Sequence, residues 1–155
     1  MIAIADTSVL IALGAVGKLD LLQKMWKVVF VPPAVLREIA TEKPGSVPVF
    51  KAITEGWLVV KPVKDKFAFH GLGPGETECL LLAQKIRPDA VLMDEARGRK
   101  IALSKGFRVI GTVGIVLKGL KSGTLTRADV PLILKKWGEI NFRLSTDLVH
   151  LLKNT

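Results

Sequence analysis

Short apolar runs alternate with amphipathic stretches along the whole chain. Ile2-Ala3-Ile4-Ala5 reads as a buried strand, and Thr7 or Ser8 can cap a helix through Val9 to Leu13, punctuated by Gly14 and Gly17. A second helix through Leu19 to Met25 leads into the β-branched run Lys27 to Val31, a strand that Pro32-Pro33 stops. Those prolines open a helix holding Val35, Leu36, Glu38 and Ile39. Turn formers dominate from Glu42 to Lys51, where a short helix is expected before the strand Trp57 to Val60. A loop from Pro62 to Pro74 ends in Gly71-Leu72-Gly73-Pro74-Gly75 and feeds a helix from Glu76 to Ile86. The strand Ala90 to Met93, a helix Glu95 to Lys105 and the strand Phe107 to Ile110 follow. Gly111-Thr112-Val113-Gly114 opens a helix through Lys118, and the tail holds helices at about Arg127 to Gly138 and Thr146 to Leu152.

Strands and helices in this alternation predict an α/β fold: a mostly parallel sheet with right-handed crossovers and helices on both faces. The 155 residues suit one domain, 1–155, with a C-terminal helical extension from about residue 124. Hydrophobic residues make up 49% and the mean hydropathy is +0.38, which excludes a disordered chain. The longest uncharged stretches fall short of a membrane span, and the opening residues lack the basic and small-residue pattern of a signal peptide. A cytoplasmic protein with no membrane partner is expected. The single cysteine, Cys79, excludes an internal disulfide and reads as a small buried hydrophobe; His70 and His150 are too isolated to form a histidine metal site.

Charge changes the picture. With 23 basic and 14 acidic residues the formal net charge is +9, which favours anionic partners such as phosphate polymers. A solvated lysine-rich surface accounts for the same number. In so basic a chain the few acids that abut apolar segments need a reason. Asp6 closes the first strand and Asp94 closes Ala90 to Met93, and in a parallel sheet the carboxyl ends of the strands share one rim, where such folds bind ligands. Glu76 at a helix start and Glu38 on the helix after Pro33 can approach that rim.

Four carboxylates drawn together cannot all stay ionised without compensation, and a divalent cation resolves the conflict. All-oxygen donors favour magnesium or manganese, ions that activate water and stabilise a leaving oxygen in phosphodiester hydrolysis. Each acid also has an ordinary reading. Asp6 is a good N-cap, Glu38 a solvated helix residue beside Arg37, and Glu76 and Glu78 both suit a helix N-terminus. Glu76 and Glu78 point to nearly opposite sides of a helix, and Leu80 and Ala83 place Glu76 on the inward stripe. Asp94 is preferred to Glu95 as the residue closing its strand. The glycine-rich 71–75 segment lacks the lysine-plus-hydroxyl ending of a phosphate-binding P-loop.

IADTSVLIAL at the start, VPPAVLREI, GLGPGETECLLLA, VLMDEARGRKIA and GFRVIGTVGIVLKGLKSG, in this order and spacing, resemble the PIN-domain family of metal-dependent ribonucleases, in particular VapC-type toxins. The resemblance runs from Ile2 to about Gly123. It implies a PIN-like three-layer α/β/α sandwich whose acids bind Mg2+ or Mn2+ and cleave RNA, with Asp6, Glu38, Glu76 and Asp94, or Glu95 in place of Asp94, as catalytic metal ligands. Thr7 or Ser8 matches the small hydroxyl residue that follows the first acid and helps to hold the metal or its water, and Thr7, Ser8, Arg97, Arg99 and Lys100 are candidate RNA contacts. Glu76-Thr77 and Met93-Asp94-Glu95-Ala96 depart from the commoner family wording at the third and fourth acids. By analogy the resemblance also implies a homodimer and an antitoxin partner that blocks the acidic cleft. The alternative is a non-catalytic RNA-binding or scaffolding module, which should have lost one of the four acids. A nucleotide-binding Rossmann-like protein needs a glycine-rich turn after the first strand, and Asp6-Thr7-Ser8-Val9 supplies none.

Overall fold

A computed structural model describes residues 1–39 and 43–155. It holds a five-stranded, all-parallel sheet in the order β3-β2-β1-β4-β5. The strands are β1 (Ile2–Ala5), β2 (Val28–Val31), β3 (Leu58–Val60), β4 (Ala90–Leu92) and β5 (Val109–Ile110). In the central register Ala3 lies opposite Val29 on one side and Ala90 on the other. β1 is central and β4 adjoins it, so both need side chains that pack on two faces. Ala3, Ile4, Ala5, Ala90, Val91 and Leu92 accordingly have almost no exposure.

The helices between β1 and β3 are α1 (Thr7–Ala15), α2 (Asp20–Met25), α3 (Pro33–Glu38) and α4 (Ser46–Glu55). The helix expected inside 42–51 is therefore longer, ending where Gly56 takes the left-handed conformation at φ 91; Glu42, where that segment was expected to begin, lies outside the described residues. Next come α5 (Pro74–Ile86), α6 (Ala96–Ser104) and α7 (Thr112–Lys121), then the tail helices α8 (Asp129–Glu139) and α9 (Thr146–Lys153). α5 packs on α3 and α6, while α1 packs on α4, α7 and α8, giving helical layers on both faces of the sheet. The expected α/β/α sandwich is present.

β5 is shorter than the apolar pattern suggested, since Phe107 and Arg108 precede it. The Arg108 carbonyl nevertheless accepts the Val91 amide at 2.8 Å, so the ladder runs past the regular strand. Trp137, 1% exposed, donates its indole N–H to the Ala12 carbonyl at 2.9 Å and meets Phe142 edge to face. Leu125, Val130, Ile133, Trp137 and Leu152 of the tail thus enter the same core as the sheet. Among the described residues no helix is long and apolar enough to cross a membrane.

The strand order places the site. The chain winds outward from β1 to β2 to β3, then returns to the other side of β1 for β4 and β5. The reversal opens a crevice between the carboxyl ends of β1 and β4, where open α/β sheets bind ligands. Asp6 follows β1 there, and Asp94 and Glu95 follow β4.

Candidate active site

Asp6 occupies the N-cap position of α1 by its backbone, φ −89 and ψ 167, yet its side chain makes no capping hydrogen bond. The residue is only 4% exposed and its Oδ1 has no hydrogen-bond partner. Burial, opposed in part by the Thr7 amide and reinforced by the charges of Glu38, Asp94 and Glu95, lifts its pKa from 3.8 to about 6. An N-cap satisfied by its own helix would be pushed the other way.

Glu76 faces the same crevice from the first turn of α5. Its Oε2 is also buried and unpartnered. That oxygen lies 3.3 Å from where a Cβ on Gly98 would stand, under the first turn of α6. Burial, then the charge of Asp6, then a hydrogen bond and charge interaction with Glu95, raise its pKa from 4.5 to about 7. Glu95 itself caps α6, accepting the Gly98 amide at 2.9 Å, and that bond chiefly holds its carboxyl below the ordinary range.

The other two expected acids are gripped by protein donors. Glu38 accepts the Gly75 amide at 2.8 Å on Oε2 and the Thr7 hydroxyl at 3.3 Å on Oε1. The approach requires glycine, because a Cβ at residue 75 would fall within the Glu38 carboxylate. Asp94 accepts the Thr112 amide and the Thr112 hydroxyl, each at 2.7 Å, and the Ser8 hydroxyl at 3.0 Å. Thr7 and Ser8 thus tie helix α1 to acids on both sides of Asp6. Glu78, the neighbour weighed against Glu76, turns to α3, accepting the Ala34 amide at 2.9 Å and pairing with Arg37 at 3.7 Å.

Asp6, Glu38, Glu76, Asp94 and Glu95 therefore share one crevice and feel one another's charge. Among the described residues, no three acidic, histidine or cysteine side chains are grouped so as to hold a metal ion as they stand. Glu38 and Asp94 thus have protein donors, where Asp6 Oδ1 and Glu76 Oε2 have none. Below Asp6, Cys79 is fully buried and donates to the Ala5 carbonyl at 3.6 Å; burial pushes its thiol well up, so it stays neutral.

The three basic candidates beyond Asp94 part company. Arg97 is exposed and lies against Gly71; Lys100 is exposed on α6. Arg99 is half-buried and donates Nη1 to the Met93 carbonyl at 2.8 Å, bracing the turn that carries Asp94. Sequence reasoning missed Thr112, fully buried and the principal holder of Asp94. Its signal was a threonine starting a helix at the same sheet edge. It also missed Gly75, read as part of a weak phosphate cradle, whose amide instead serves Glu38.

A family model, DUF3368, described as a PIN domain, matches residues 2–154. Among solved structures, the chain is similar to a PilT N-terminus domain protein from the hyperthermophilic archaeon Sulfolobus solfataricus P2. The two share 14% identity at a TM-score of 0.58, covering 77% of this chain and 94% of that one. At that identity the likeness shows the fold alone. No curated protein sequence matches the chain.

Proposed function

Because the chain belongs to the PIN-domain family, a nuclease-type fold, we propose that it is a metal-dependent endoribonuclease that hydrolyses phosphodiester bonds of single-stranded or structured RNA. One observation carries the reading: Asp6 Oδ1 and Glu76 Oε2 are buried, lack any hydrogen-bond partner and sit in a crevice of like charge. A buried carboxylate oxygen left bare costs about 1–3 kcal/mol or more, and folds keep such a cost where a ligand removes it. The donor set, oxygen only, suits Mg2+ or Mn2+.

Asp6 and Glu76 would hold the ion directly, with Glu38 and Asp94 completing its surroundings and Glu95 close to Glu76. The ion supplies a polarised phosphoryl oxygen and a water of lowered pKa. Thr112 and Ser8 fix Asp94, and Gly75 and Thr7 fix Glu38, so that neither carboxylate swings when a phosphate enters. Arg97 and Lys100 face solvent beside the crevice and suit phosphates of the strand, while Arg99 supports Asp94. Placement in the cytoplasm, a homodimer and silencing by an antitoxin extend the reading through the resemblance to VapC-type toxins. A non-catalytic module is disfavoured by the retention of all four acids.

The test is cleavage of single-stranded RNA by purified protein, freed of any partner, with Mg2+ or Mn2+. Wild type should cleave with at least one metal, and Asp6→Asn should lose about a thousandfold or more, the several kcal/mol expected for losing the ion. No cleavage by wild type with either metal sinks the enzyme reading. Equal rates in both proteins would remove Asp6 from the mechanism.

A further inference from the structure

The loop between β3 and α5 has no part in the acid chemistry. It carries Lys61, Lys64, Lys66, Phe67 and Phe69 against a single acid, Asp65. Phe67 is 60% exposed, the most exposed aromatic ring of the molecule. Exposing a ring forfeits the free energy of burying it, and this one sits in a segment with three lysines and one acid. Nor is the ring loose. Asp65 Oδ1 accepts the Phe67 amide at 3.1 Å in a tight turn, and the ring stands edge to face on Phe69, centroids 5.0 Å apart at 74°. Phe69 in turn lies under the Lys105 ammonium, 5.3 Å from its centroid.

The loop is tied along helix α6. Phe69 meets Lys105 just past its C-terminal end. Gly71, at φ 79, meets Arg97 in its first turn, where any side chain at residue 71 would strike the guanidinium. The Leu72 amide donates to the Phe69 carbonyl at 3.2 Å, and Gly73 then caps α5 three residues before Glu76. An exposed ring thus stands near one end of the loop, and Gly73, which leads into α5 and Glu76, at the other. Arg97 and Lys100 are exposed on α6, and neither forms an ion pair among the described residues.

We propose that Phe67 is a stacking platform for one unpaired base of single-stranded RNA, whose backbone follows Arg97 and Lys100 along α6 into the acidic crevice. The substrate class is set by the ring: a base must be unstacked to lie on it, which a duplex does not permit. The inference rests on the nuclease reading only for the direction of the strand. The platform itself is a binding claim.

The experiment measures binding without cleavage, by fluorescence anisotropy of a labelled single-stranded RNA oligonucleotide and of the matching duplex, with full-length protein in EDTA. Phe67→Ala should weaken single-strand binding by about fivefold or more, the lower bound for one base stacked on an aromatic ring. It should leave duplex binding unchanged, and Phe67→Trp should restore single-strand affinity. Equal single-strand affinity in wild type and Phe67→Ala, or an equal loss for the duplex, overturns the platform. If wild type cleaves no RNA yet Phe67→Ala weakens binding selectively, the platform stands and the nuclease reading falls. If wild type cleaves and Phe67→Ala binds as wild type, the reverse holds.

Discussion

Asp6 in the crevice and Asp129 in the tail both stand at the start of a helix, and the fold treats them in opposite ways. Asp129 accepts the Thr126 amide at 2.8 Å and the Thr126 hydroxyl at 3.2 Å, and pairs with Lys18 at 3.6 Å. The Thr126 amide above all, with Lys18 helping, holds its carboxyl below the ordinary range. Asp6 has the same local opportunity but is buried, makes no cap and is pushed up to about 6. An acid used for structure finds its partners within the chain. Asp6 keeps an unpartnered, buried Oδ1, as an acid that holds a ligand would.

The contrast can be broken first at a residue that holds an acid without belonging to the bare pair. Thr112→Val keeps the shape and the backbone amide but removes the 2.7 Å hydroxyl bond to Asp94. Loosening a carboxylate of this kind should lower RNA cleavage by about 10- to 100-fold, the usual effect of losing a group that orients a metal ligand. Rates measured with a thermal melt on the same sample check it, and an unchanged rate would show that Asp94 needs no such hold.

A second break uses pH on metal-free protein. Asp6 and Glu76 titrate near 3.8 and 4.5 unfolded but near 6 and 7 folded, so between about pH 4 and 7 the folded chain keeps protons that the unfolded chain releases. Stability should therefore be greatest at the low end of that window and fall as pH rises through it, by on the order of 3 kcal/mol at most for Asp6. Glu95 and Asp129, shifted down, lose their contribution only as pH falls below about 4. Urea unfolding across pH 4 to 8 in EDTA reads the slope; a rise in stability over that range would mean that the crevice acids are satisfied.

The smallest effect compares the two aspartates directly. In metal-free protein at pH 7.5, Asp6→Asn should raise the unfolding midpoint, because a buried charge is removed. Asp129→Asn should lower it, by up to about 1 kcal/mol, through loss of the charge that pairs with Lys18 and strengthens the Thr126 bond. Matching signs would end the distinction.

Much of this was legible in the chain. β1, β2 and β4 are apolar runs with polar punctuation, and their alternation with helices marks a parallel sheet. Helical spacing put Glu76 and Glu78 on nearly opposite sides of α5, and Glu78 does turn away, to the Ala34 amide and Arg37 of α3. What no local pattern reveals is which donors an acid finds across the fold: Thr112 lies 18 residues from Asp94, and Gly75 lies 37 from Glu38. For the same reason Arg99 looked like its exposed neighbours Arg97 and Lys100, though it folds back onto Met93. The boundaries of α4 and β5 also differ, since a left-handed glycine and a sheet-edge ladder decide them rather than hydropathy.

The central claim is that Asp6 and Glu76 are left bare for a divalent cation. Calorimetric titration of Mn2+ into metal-free wild type and Asp6→Asn, near pH 7 and in two buffers of different ionisation heat, tests it without reference to any RNA. The prediction is saturable binding by wild type with proton release from the crevice acids, and loss of that binding in Asp6→Asn. Absence of Mn2+ binding in wild type, or equal affinity in the two proteins, would contradict it.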